Sequence, residues 1–107
     1  MPEPADRRAA ERFPVNADTA CAFAGEVTED FGPVRIQNIS MEGVGLLVSR
    51  RVEAGTLLAV TVANQAKSFS KTLLVRVAHV TQQRGSFLIG STFDVPLTYQ
   101  EFTMLVM

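Results

Sequence analysis

FSKTLLVRVAHVT, residues 69–81, decides the fold. Leu73, Val75 and Val77 fall on alternate positions, with His79 next in the series, which is the period of a strand with one buried face. Gln83-Arg84-Gly85 then supplies a turn into a second β-like run over residues 86–93. Upstream the same alternation recurs in Leu58, Val60 and Val62, preceded by the turn Glu53-Ala54-Gly55. It recurs again in Val44, Leu46 and Val48, which follow the tight connection Met41-Glu42-Gly43. Val34, Ile36 and Ile39 mark an earlier strand whose end carries Asn38 and Ser40, and residues 19–27 form the first, closed off by polar residues and Gly32-Pro33.

Six strand-like runs with short turns and no helical period between them predict an all-β chain, a small six-stranded antiparallel β-barrel. Only the end changes period. Pro96-Leu97-Thr98-Tyr99-Gln100-Glu101 fits a capping box, so a short C-terminal α-helix is expected from Thr98 to about Val106. Its Phe102, Leu105 and Val106 need a surface to cover, because so short a helix is marginal alone.

Composition agrees with one folded domain: 32 of 107 residues are Val, Leu, Ile or Phe. Residues 1–12 hold no large apolar residue after Met1 and read as a flexible N-terminal arm; residues 13–107 form the barrel with its helix. Ten Lys and Arg against eleven Asp and Glu leave a net charge of −1, which excludes a surface that tracks polyanions throughout. Any anion site is therefore local. Eight of the ten cations are Arg, the side chain suited to bidentate recognition of phosphate and guanine edges.

A single Cys21 excludes an internal disulfide and a multi-Cys zinc site, and one His, His79, removes His-rich metal and triad arrangements. Cys21 reads as a small apolar residue and His79 as a structural histidine at a barrel position. No acid–base pair is visible, so no enzyme is expected, and no cofactor or metal. No stretch reaches the roughly 20 apolar residues of a membrane span, and the N-terminus lacks a signal-like apolar segment, so the expected location is cytoplasmic.

Two constellations carry chemistry. Arg7, Arg8 and Arg12 stand on the arm, with Arg8 and Arg12 spaced as Arg-x-x-x-Arg. Alone, the cluster also reads as solvated charge offset by Asp6 and Glu11. Asn38-Ile39-Ser40-Met41-Glu42-Gly43 places two short polar side chains by strand alternation on one face beside a glycine. Alone, it also reads as turn chemistry, with Asn and Ser bonding local backbone.

In this order, about 26 residues apart, the two motifs resemble the PilZ domain family of bacterial cyclic di-GMP receptors. Leu88-Ile89-Gly90-Ser91-Thr92-Phe93 completes the resemblance, which spans about residues 7–107. It implies that Arg8 and Arg12 hold a phosphate and the Hoogsteen edge of a guanine, that Asn38 and Ser40 contact guanine and phosphate, and that Gly43 leaves room for the ligand. It further implies that Arg7 goes with an intercalated pair of nucleotides. The expected function is thus a bacterial, non-catalytic cyclic di-GMP receptor whose arm closes over the ligand and signals to an effector protein. The alternative is a PilZ-like protein-interaction module that binds no nucleotide. A barrel binding single-stranded nucleic acid is disfavoured because aromatic residues make up only 7% of the chain.

Overall fold

The computed structural model describes residues 12–24 and 34–107; Arg7, Arg8, the rest of the arm before Arg12 and the expected first turn at Gly32-Pro33 lie outside the described residues. Six strands follow one another: β1 Thr19–Phe23, β2 Arg35–Ile39, β3 Gly43–Val48, β4 Leu57–Asn64, β5 Phe69–Gln83 and β6 Ser86–Phe93. Among the described residues a 3-10 turn, Gln65–Lys67, joins β4 to β5, and an α-helix, α1 Tyr99–Val106, follows β6. All strand pairs are antiparallel, in the order β1-β4-β5-β6-β3-β2, and the sheet curls into a nearly closed barrel.

Alternation in the sequence becomes the inside and outside of that barrel. Leu58, Val60 and Val62 on β4 lie beside Leu73, Val75 and Val77 on β5 along one interior wall, joined in the core by Val44, Leu46 and Val48 of β3. α1 plugs one end with Leu105, which is fully buried. Its first turn is held by the capping box: Glu101 N–H donates to Thr98 Oγ1 at 3.1 Å, and Thr98 N–H donates to Glu101 Oε1 at 2.9 Å. The other Glu101 oxygen accepts from Lys71 Nζ of β5 at 2.6 Å.

Residues 12–18 complete the wall. Phe13 and Ile39 exchange two backbone hydrogen bonds of 2.8 Å at the free edge of β2, and the Phe13 ring meets Phe102 of α1 edge-on at 5.7 Å. Farther on, Asn16 N–H donates to the Leu105 carbonyl at 3.0 Å. The barrel's interior polar group here is Asn64, at 0% exposure. Its amide donates to Asn16 Oδ1, Thr19 Oγ1 and the Met104 carbonyl at 3.0 to 3.2 Å, while its oxygen accepts from Lys67 N–H at 3.1 Å. A fully buried amide is tolerated because each polar atom has a partner.

Two irregularities change which residues face out. The β2–β3 register shifts between Ile36 and Asn38, and the β5–β6 register shifts between Val77 and His79. Each inserts one extra residue, Gln37 or Ala78, and so reverses the strand's phase. His79 is therefore exposed rather than on the interior face that alternation after Val77 assigns to it, and Val80 returns to the core side.

Candidate functional site

The two bulges turn polar residues onto the same outer face at the same level. Asn38 of β2 lies opposite Gly45 of β3, Gly45 opposite Gly90 of β6, and Gly90 opposite His79 of β5. One row across four strands thus has a polar side chain at each end and two glycines between. A side chain at either glycine has no room: a Cβ on Gly45 would sit 2.7 Å from Asn38 Oδ1, and one on Gly90 would run into the His79 ring. The amide and the imidazole are folded inward over bare backbone, leaving a shallow hollow of about 160 Å³ lined by Arg12, Asn38, Gly45, His79, Leu88 and Gly90.

Arg12 reaches this floor from the arm. Its guanidinium donates to Asn38 Oδ1 at 3.0 Å, so residues 26 apart in sequence meet side chain to side chain. With Oδ1 occupied, the Asn38 amide presents its Nδ2 donors, next to a permanent positive charge. Neighbouring rows frame the hollow: Arg35, Leu47, Leu88 and Thr81 on one side, Gly43, Thr92 and Arg76 on the other. No carboxylate lines it among the described residues.

Ser40 and Gly43 are placed differently from Asn38. Ser40 is 2% exposed, and its hydroxyl accepts from the N–H groups of Glu42 (3.2 Å) and Gly43 (3.1 Å) while donating to the Gly43 carbonyl at 3.3 Å. It is the internal tie of the β2–β3 turn and does not share the outer surface with Asn38. That turn also holds the exit of β6, since its Glu42 and Met41 carbonyls accept from the N–H groups of Phe93 and Leu97 at 2.8 Å. Gly43 packs backbone to backbone on β6, where a Cβ would collide with the Ser91 carbonyl. The structure brings Arg12, Asn38 and His79 to one surface, keeps Ser40 and Gly43 buried where β2 turns into β3, and leaves Arg7 and Arg8 outside the described residues.

His79 is the wall that alternation alone mislays. A signal for it exists: Val77 and Val80 are three apart, as are Ile36 and Ile39, and both intervals break the period of two where a bulge reverses the face. Cys21 lies at the β1–β2 seam, its Sγ 3.8 Å from the Val34 carbonyl, and burial pushes its thiol up to about 11, so it stays protonated and unreactive at neutral pH. No group of His, Cys, Asp and Glu among the described residues is arranged to hold a metal, and no helix among them is long and apolar enough to cross a membrane.

The described residues thus form a small antiparallel barrel with a polar, glycine-floored outer groove that Arg12 reaches from the N-terminal side. The family model described as PilZ domain matches residues 6–106, nearly the whole chain, and the chain belongs to that family. PilZ domains are in general cyclic di-GMP-binding and adaptor modules without catalytic activity. No curated protein and no solved structure matches the chain.

Proposed function

We propose that this protein is a cyclic di-GMP receptor that binds the nucleotide on the glycine-floored face and relays occupancy to an effector protein. The observation that carries the reading is the Arg12–Asn38 hydrogen bond over Gly45, which unites the two halves of the motif at one surface. Arg12 supplies a fork for guanine O6 and N7 or for a phosphate, and Asn38 Nδ2 supplies a neighbouring donor. The hollow's 160 Å³ is smaller than sites that enclose a whole drug-sized ligand, so a dinucleotide seats only in part and needs cover from above. Arg8 and Arg7, next along the arm, provide that cover: Arg8 as the second clamp, and Arg7 toward the phosphates of an intercalated pair.

In this reading Ser40 and Gly43 act through the turn that positions Asn38. Closing the arm costs backbone entropy of about 1 to 2 kcal/mol per ordered residue, which several charge-assisted contacts must offset. In this reading the ligand is bound and released unchanged, as is general for PilZ modules. Calorimetric titration with cyclic di-GMP in excess GTP tests the reading. Binding strongly weakened in Arg8→Ala and Arg12→Ala, with two ligands per protomer falling toward one in Arg7→Leu, is the expected result. A folded protein that binds no cyclic di-GMP overturns it in favour of a protein-interaction module.

A further inference from the structure

His79 is the chain's single histidine, and its ring rests on Gly90 at the far end of the row that begins with Asn38. Imidazole is the side chain whose charge ordinarily changes between pH 5 and 8. The groups facing it decide which charge state a ligand selects. On β6 these are Gly90 and Leu88, on β3 Gly45, on β2 Asn38, with Arg12 beyond them. On its own strand, Arg76 points outward one row away, opposite Thr92, and Arg35 occupies the row on the other side. The acidic Asp94 lines a separate hollow with Arg76, Leu57 and Thr92, and Glu42 is exposed in the β2–β3 turn. Among the described residues, then, the groove lining holds Arg12 and no carboxylate, with Arg35 and Arg76 in the rows beside it.

His79, Asn38 and Arg12 share one lining, so an anion seated in the groove meets imidazole and guanidinium together, and a neighbouring anion favours the charged form of an imidazole. We propose that His79 is a proton-linked ligand contact: its imidazolium meets an anionic group of the bound nucleotide, so that binding takes up a proton and tightens as pH falls. This rests on the cyclic di-GMP reading above and adds a regulatory variable to it. Linkage makes the effect reciprocal, so the ligand raises the proton affinity of His79 by the same factor as protonation of His79 raises ligand affinity.

The test is calorimetric titration of the full chain with cyclic di-GMP at about pH 6 and about pH 8, each in two buffers of different ionisation enthalpy. The same titrations are run on His79→Phe and His79→Gln. The wild type should bind about five-fold tighter at the lower pH, with net proton uptake between the two values. His79→Phe keeps a ring over Gly90 and should show no pH slope and no proton uptake at whatever affinity it retains; His79→Gln should be equally flat. The single imidazole proton resonance of the wild type should titrate at higher pH with ligand than without. Wild-type binding that is flat with pH and releases no buffer heat overturns the proposal, as does a slope that persists in His79→Phe. Absence of binding at both pH values in a folded protein overturns the nucleotide reading itself, and is told apart by the missing heat of binding.

Discussion

Asn64 and Asn38 are the same residue on neighbouring sides of one barrel, and they are used in opposite ways. Asn64 closes the α1 end: it is fully buried, and its amide is shared among the arm root, β1 and the helix C-terminus. Asn38 lies at the groove, where among the described residues its oxygen accepts from Arg12 and its donors are left to the surface. The difference teaches how to separate structural from ligand-directed polar groups. Where every polar atom is consumed internally, loss costs stability; where a polar atom and a fixed charge are left facing a bare floor, loss costs affinity.

The largest effect expected from this contrast is at the filled end. Asn64→Ala strips partners from the Met104 carbonyl and the Lys67 N–H and should cost about 3 kcal/mol of unfolding free energy. Urea denaturation measures it, and a cost below about 1 kcal/mol would mean that water substitutes there and the contrast fails. Next comes Arg12→Ala, which should weaken cyclic di-GMP binding by about 2 kcal/mol, or roughly thirty-fold, with the denaturation midpoint nearly unchanged. An equally large stability loss would move Arg12 to the structural side.

Ser40→Ala and Asn38→Ala sharpen the comparison within one motif. Ser40→Ala should lower stability by about 1.5 kcal/mol while the folded protein binds normally, because its hydroxyl serves Glu42 and Gly43. Asn38→Ala should do the reverse, with affinity down about ten-fold and melting temperature steady. Matched effects in the two variants would return Ser40 to the ligand surface.

The smallest effect concerns acid. The Lys71 ammonium, followed by the Thr98 N–H, holds the Glu101 carboxyl below the usual carboxylate range. A depressed folded-state value contributes stability that is present at neutral pH and lost as pH falls below the ordinary glutamate range. Because the pair is part-exposed, under about 1 kcal/mol is at stake. Thermal unfolding followed from neutral pH into that range should show a steeper decline in the wild type than in Glu101→Gln.

How much of this was legible from the residues differs between the two regions. The strands were, because Leu58, Val60 and Val62 or Leu73, Val75 and Val77 must share a side; so was α1, because Thr98 and Glu101 satisfy each other's backbone. Arg12 and Asn38 were legible as parts of one motif, but their contact was not, since it depends on the bulge that turns Asn38 outward. His79 was misplaced for the same reason on β5. Ser40 looked like a partner of Asn38 because alternation continues on paper past Ile39, whereas the chain has already entered its turn. Asn64 carried no local signal at all: Asn16, Thr19 and Met104 lie 40 to 48 residues away from it.

The three glycines of the groove region have an evolutionary consequence. At Gly43 the obstacle to a Cβ is the Ser91 carbonyl, which cannot move without breaking the β3–β6 pairing, so an alanine allele is removed by selection for folding alone. At Gly45 and Gly90 the obstacles are the Asn38 amide and the His79 ring, both of which can swing aside. Alanine there leaves a sound barrel with a displaced recognition side chain. A lineage released from the need to bind nucleotide would therefore drift at Gly45 and Gly90 while retaining Gly43, and the pattern of which glycines persist would date the loss of the ligand before any loss of the fold.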